Sequence, residues 1–420
     1  MKLSEFRHAG NSPTLLAAFL YFDVSFMAWV LLGPLAPFIS ETMKLSPTQK
    51  GFMVALPLLA GSFFRPLLGI LGDRIGGRRA GLVGLTLTLL PLVIGWKFAS
   101  SLHYFYALGL LLGIAGASFA VALPLAGAWY PPEYQGLAMG IAGAGNSGTL
   151  MATFFAPRLA QHFGWHSTFA LAMIPVFSVL LLYGLLAKDS PKRPKVVAFR
   201  DYASLLKEPD TGWFCFLYSL TFGGFVGFAS FLTLFFHDQY HLSKVRAGDF
   251  TTLVVIAGSL LRPVGGWIAD RIGGYRLLLM LLTGIAFCLA GVSMLPALGV
   301  VAALLFAAMG MLGMGNGAVF QLVPQRFSKS VGIMTGLVGA AGGLGGFVLP
   351  SVLGVVKDRT GQYGSGILLF ATVFAVGAFV LLQLGSYWRE KWEADSVERA
   401  GIFCYRDFIH GVTEGNEETT

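Results

Sequence analysis

The sequence predicts an all-α integral membrane protein of twelve spanning helices arranged as two pseudo-symmetric six-helix bundles. Three observations predict it. The chain is 55% hydrophobic and only 12% charged, where a soluble domain carries about 25% charged residues, and its mean hydropathy is +0.71. It breaks into twelve apolar runs near the roughly 20 residues that a spanning helix needs. It also repeats itself: Gly61-Ser62-Phe63-Phe64-Arg65-Pro66 and Gly258-Ser259-Leu260-Leu261-Arg262-Pro263 are near-copies. Each runs on into a charged turn, Gly72-Asp73-Arg74-Ile75-Gly76-Gly77-Arg78-Arg79 and Ala269-Asp270-Arg271-Ile272-Gly273-Gly274-Tyr275-Arg276. Arg65 and Arg262 are 197 residues apart in a chain of 420, close to half its length.

The elements follow in order. The first run, 14–38, is too long for a signal-peptide core and has no convincing cleavage site, so it is expected to be a retained helix. The second, 49–71, carries Arg65 and ends in the first charged turn. Runs 80–97 and 103–129 follow, then 136–161, which holds Gly140, Gly143, Gly145, Asn146 and Gly148, then 166–187. A Lys- and Pro-rich stretch, Lys188 to Asp210, reads as the linker between halves. The second half repeats the plan with 212–237, 247–269 (carrying Arg262), 277–296, 299–325, 332–356 and 365–388. The eleventh run holds Gly336, Gly339, Gly342, Gly343, Gly345 and Gly346, and Gly336 stands 196 residues after Gly140. The domains are therefore 1–187, a linker 188–211, 212–388 and a polar tail 389–420, which ends in acidic residues as a partly disordered segment would.

With both termini on one side, that side receives 19 of the 29 Lys and Arg residues and the other 8; the remaining 2 are Arg65 and Arg262. The positive-inside rule then makes the termini and linker cytoplasmic. It also accounts for the net charge of +8, so no nucleic-acid partner is called for. Cys215, Cys288 and Cys404 are widely spaced, which gives neither a disulfide framework nor a metal site.

Three features carry chemistry. An arginine near the bilayer midplane costs about 2.5–3.5 kcal/mol on insertion scales, so Arg65 and Arg262, one from each half, predict a single anion site on the pseudo-symmetry axis. Glycine weakens a helix by about 1 kcal/mol relative to alanine, yet the chain has 55 of them. Close helix packing is one reason; a bendable surface over which the opposite half rocks is the other. Asp23, roughly 13 Å into the first helix at 1.5 Å per residue, is either a proton carrier or a packing residue fixed by a hydrogen bond or ion pair.

The turn Gly69 to Arg79, repeated at Gly266 to Arg276, resembles the cytoplasmic signature of the major facilitator superfamily. With it, the glycine run around Asn146, the glycine run of the eleventh helix, Gly313-Met314-Gly315-Asn316-Gly317-Ala318-Val319-Phe320-Gln321 and the two arginines resemble the nitrate/nitrite porter family (NarK/NasA type) of that superfamily. The similarity covers essentially residues 14–388. It implies the major facilitator fold and a secondary carrier of nitrate or nitrite in the cell membrane, working by alternating access and generally as a monomer. It implies that Arg65 and Arg262 clamp the anion, that Asn146 hydrogen-bonds it, and that Phe119, Tyr218 and Phe222 line the site. Tyr218 and Phe222 are four apart and so share a helix face in any case. The turn residues Asp73, Arg74, Asp270 and Arg271 would pin neighbouring helices in one state and release them in the other.

A flat, weakly hydrated anion suits a planar guanidinium, which presents paired N–H donors to two oxygens. Nitrate/nitrite exchange, proton-coupled uptake and carriage of another small anion such as a carboxylate all remain open. A membrane sensor would need a larger output domain than the tail offers. An enzyme is not expected: the sequence has no paired catalytic carboxylates, metal-ligand cluster or nucleotide motif, and so no cofactor.

Overall fold

In the computed structural model, which describes residues 6, 8–191, 204–327 and 330–402, the described chain is helical throughout apart from turns and short connections. Among the described residues eleven helices are long and apolar enough to cross a membrane: α1 (Ser12–Met43), α2 (Pro47–Ile75), α3 (Gly77–Lys97), α4 (Leu102–Gly127), α6 (Trp165–Leu186), α7 (Pro209–Tyr240), α8 (Lys244–Ile272), α9 (Gly274–Ser293), α10 (Leu298–Arg326), α11 (Val331–Thr360) and α12 (Gly364–Lys391). The twelfth, α5, spans 132–163 in three pieces: Pro132–Gly143, a 3-10 turn Ala144–Ser147, and Gly148–Phe163. A short helix α13 (Ala394–Ala400) follows, so part of the tail is folded. Half of the linker (192–203) and the end of the tail from 403 onward, Cys404 included, lie outside the described residues.

Local chemistry sets the helix ends. The Asn11 side chain accepts the Thr14 amide at 2.9 Å and caps α1. Ser46 and Gln49 form a reciprocal capping box at the start of α2. Gly76 and Gly273, repeat partners at φ 92° and 87°, stop α2 and α8 in a conformation that only glycine adopts without strain. Pro263, which has no N–H to give to the helix, follows the point where α8 dips out of regular helix at Leu261.

The packing is two-fold. α2 lies on α4 as α8 lies on α10, and α3 on α6 as α9 on α12. The halves meet along α1–α7 and along the repeat-related pairs α2–α11 and α5–α8. In its most apolar stretch α7 is 94% buried and α1 83%, against 28% for α6; the first two are therefore central, and α6 turns side chains such as Leu185 outward, where a bilayer would cover them.

Side-chain bonds join the halves at the end away from the termini. Lys50 of α2 pairs with Asp238 of α7 at 2.9 Å, and Tyr363 donates to the same carboxylate at 3.2 Å. Arg158 pairs with Asp249 at 2.7 Å, Thr48 donates to Asp358 at 2.5 Å, Thr252 to Thr153 at 2.8 Å, and Lys244 pairs with Glu41. Exposed ion pairs contribute little singly, but these bonds accompany backbone contact. A Cβ on Gly51 would fall 2.4 Å from the Pro350 oxygen, and one on Gly33 2.4 Å from that of Ser230. Toward the termini, a Cβ on Gly140 of α5 or on Gly266 of α8 would meet nothing within 4 Å.

Candidate anion site

Arg65 and Arg262 reach the centre of the molecule from α2 and α8, 1% and 9% exposed. The Phe119 ring of α4 serves both, at 5.5 Å from the Arg65 guanidinium carbon and 5.8 Å from that of Arg262. Arg65 also faces Trp29 and Phe222, each at 5.1 Å. Arg262 faces Phe320 at 5.8 Å. Tyr218 and Phe222 stack on the α7 face they share, with ring centres 5.1 Å apart and planes 5° apart. Tyr218 meets Phe320 edge-on at 5.0 Å. Ring faces attract a guanidinium, yet they leave its N–H groups unpaired.

Those N–H groups decide what the site can do. Arg65 Nε donates to the Gly116 oxygen at 3.0 Å, and Nη1 donates across the half boundary to the Gly339 oxygen. Arg65 Nη2 and Arg262 Nη1 have no partner, and no ion pair to either guanidinium occurs among the described residues. The Tyr218 hydroxyl, buried in the same cluster, makes no well-formed hydrogen bond. Two buried positive charges with free donors and aromatic walls have the chemistry to accept a small flat anion, which would offset part of their charge and take the open N–H groups.

Asn146 sits in the 3-10 turn that interrupts α5, fully buried, with both amide atoms unpartnered. The turn lies where α5 and α1 press together: a Cβ on Gly145 would meet the Asp23 nitrogen and the Phe19 oxygen at 2.9 Å, and one on Gly148 would fall 1.8 Å from the Asp23 oxygen. Asp23 is 7% exposed and accepts a hydrogen bond from Ser147 Oγ at 2.6 Å. Its carboxylate stands beside the point where α5 resumes at Gly148.

The glycines divide by role. Gly342 makes room for Tyr218 and Phe222, Gly339 for Phe119, and Gly345 seats α11 on the Ser219 backbone. Gly343 approaches α2 of the other half at Ser62, and Gly346 lies between Val226 of α7 and Leu58 of α2. A Cβ on Gly143 would lie 4.0 Å from the Arg262 guanidinium carbon, one on Gly140 would meet nothing within 4 Å, and Gly336 is half-buried. At the charged turns Asp73 is half-buried and Arg74, Asp270 and Arg271 are exposed. Each turn is held by the segment that follows its half: Asp189, at the start of the linker, accepts the Arg78 amide at 2.9 Å, and Arg276 Nε donates to the oxygen of Gly401 in the tail at 3.1 Å.

Trp29 and Phe320 lie against the guanidiniums without having been singled out from the sequence. The signal for Trp29 was there: Phe22, Phe26 and Trp29 are spaced four and three apart on one face of α1, and Phe22 and Phe26 reach Phe119 and Phe222 at 5.7 and 6.3 Å. A closely approaching backbone holds the indole in place, since a Cβ on Gly116 would lie 2.3 Å from it, and Trp29 Nε1 donates to the Pro57 oxygen at 2.7 Å.

Known proteins align with the chain along most of its length. The family model described as Major Facilitator Superfamily matches residues 17–350. The "Nitrite extrusion protein" of Bacillus subtilis is 36% identical over 366 residues, covering 87% of this chain and 92% of that protein. The "Probable nitrate/nitrite transporter NarK2" of Mycobacterium tuberculosis is 36% identical over 375 residues, covering 87% and 95%. Among solved structures, a partially occluded, inward-open form of the xylose transporter XylE from E. coli superposes with a TM-score of 0.71 at 16% identity, covering 89% of this chain and 97% of that one; it supports the fold alone. On these matches the chain is a multi-pass membrane protein of the major facilitator superfamily and belongs to its nitrate/nitrite porter family.

Proposed function

We propose that the protein carries nitrate and nitrite across the cell membrane by alternating access, with the anion held between Arg65 and Arg262, and that it works as an exchanger. The observation that carries the reading is the pair of buried guanidiniums, one from each half, with no ion-pair partner among the described residues and with open N–H donors at Arg65 Nη2 and Arg262 Nη1. The names of the relatives support the cargo. Asn146, Tyr218, Phe119 and Phe222 would complete the pocket, joined by Trp29 and Phe320. The two six-helix halves, 1–187 and 212–388, would rock about it, with both termini and the linker in the cytoplasm. In that orientation the conformation seen here is closed on the outer side.

Exchange is favoured over proton coupling on two grounds. With the site empty the guanidiniums repel one another, and a bound anion relieves that repulsion, so the loaded carrier reorients more easily than the empty one. The Asp23 carboxylate is engaged by Ser147 at the break in α5, where it would position Asn146 rather than shuttle a proton.

Labelled nitrate uptake into liposomes tests the reading. Uptake is expected with internal nitrite and not into anion-free vesicles, whether or not an inward proton gradient is imposed. Asp23→Asn keeps an acceptor for Ser147 and is expected to retain exchange within about threefold, since a neutral hydrogen bond replaces a charge-assisted one. Gradient-driven uptake into empty vesicles that Asp23→Asn abolishes would instead make the protein a symporter. Formate exchange without nitrate exchange would make it a carboxylate carrier.

A further inference from the structure

Asn316 of α10 has no exposed surface, and neither its amide nitrogen nor its amide oxygen has a hydrogen-bond partner. Burial of an amide without partners is costly, so a side chain kept in that state points to a ligand that arrives. Its direction follows from its neighbours. A Cβ on Gly313 would meet the Gly258 oxygen at 2.1 Å and one on Gly317 the Arg262 oxygen at 2.6 Å, so these two positions face α8. A Cβ on Gly315 would meet Thr221 at 2.8 Å, and Leu312 lies against Gly224, so these face α7. With 3.6 residues per turn, Asn316 falls between the two faces and aims into the gap between α7 and α8. Phe320 occupies that same sector one turn on, against Arg262 at 5.8 Å and Tyr218 at 5.0 Å.

The repeat leads independently to the same place. Asn316 stands 197 residues after Phe119, the offset that relates Arg65 to Arg262. Phe119 is the ring that lies against both guanidiniums. Where one half offers a ring, the other offers an amide.

We propose that Asn316 is a direct ligand of the transported anion. Its amide nitrogen donates to an anion oxygen from the α10 side. Its amide oxygen, which can only accept, turns toward a free donor of the site such as Arg262 Nη1. This rests on reading the arginine cluster as an anion site. It gives the C-terminal half an amide of its own, opposite Asn146 of the N-terminal half.

The full-length protein and Asn316→Ala, purified in detergent with gluconate as the only buffer anion, are titrated calorimetrically with nitrate, nitrite and formate, and melted with and without each. Nitrate binding is expected to weaken about 10- to 100-fold in the variant, the loss of one hydrogen bond to a charged group. In gluconate alone the variant is expected to melt at or above the wild-type temperature, because it sheds an unpartnered amide, while nitrate raises that temperature less. Unchanged affinity, with or without a lower melting temperature in gluconate, overturns the proposal and leaves the arginine site standing. If wild type binds formate and not nitrate, the cargo assigned above fails and Asn316 is judged on formate by the same thresholds. If wild type binds none of the three, both fall. Asn316→Ser, smaller but still a donor, is expected to bind with intermediate affinity and serves if the alanine variant does not fold.

Discussion

An Arg65→Lys protein is expected to bind nitrate about 100-fold more weakly than wild type and to lose nearly all exchange, while remaining folded. Arg65 holds two carbonyls at once, Gly116 of its own half and Gly339 of the other, and still has Nη2 free. A lysine keeps the charge but has a single nitrogen, which cannot span both carbonyls and also face an anion. Each hydrogen bond to a charged group contributes about 1.5–3 kcal/mol, and about 2.7 kcal/mol corresponds to 100-fold in affinity. Because lysine preserves the charge, the variant separates the fork from the field. Calorimetric titration with nitrate, beside melting curves in gluconate, is the measurement. Affinity within about threefold of wild type would show that charge alone holds the anion.

What could be read from the sequence was what is costly. Charges in apolar runs, glycine inside helices and a repeat near half the chain length all need explaining, and each led to the site or to the boundary between halves. Asn146 stood out for the same reason, as an amide inside a glycine run. What could not be read was rotation and partnership. In a chain with 36 phenylalanines, any ring is by default packing, and only the orientation of α10 and α1 brings Phe320 and Trp29 to the guanidiniums. The depth of Asp23 was legible, but its partner Ser147 is 124 positions away in the chain and close only through the α1–α5 contact. The glycine run announced a weak helix without saying that α5 breaks there into a 3-10 turn. The glycines picked out as a sliding surface also proved unequal: Gly339 and Gly343 face the other half, Gly342 and Gly345 pack against α7 of their own, and Gly346 lies between the two.

Gly51→Ala is expected to cut exchange at least tenfold by opening the side that is closed here. Gly51 was not among the glycines picked out, because α2 is not glycine-dense; its importance lies in what it meets. The added Cβ would lie 2.4 Å from the Pro350 oxygen and 3.1 Å from the Gly354 Cα, and the reciprocal Cβ on Gly354 would lie 2.6 Å from the Pro47 oxygen. These are backbone atoms, so no rotamer change relieves the clash and α2 and α11 must separate. In a bilayer, helix association depends on such close packing rather than on hydrophobic burial. Overpacking costs about 1–3 kcal/mol, and about 2 kcal/mol shifts a two-state equilibrium roughly 30-fold. The shift runs toward the conformation in which this end is apart, because there the extra methyl has room. Hydrogen–deuterium exchange reads it directly: residues 47–56 and 350–358 are expected to exchange faster in Gly51→Ala than in wild type. Gly140→Ala is the control, since its Cβ meets nothing within 4 Å in this conformation and it should not raise exchange at those segments. Wild-type exchange at both segments, together with undiminished transport, would mean that the two helices need not stay in contact here for the outer side to close.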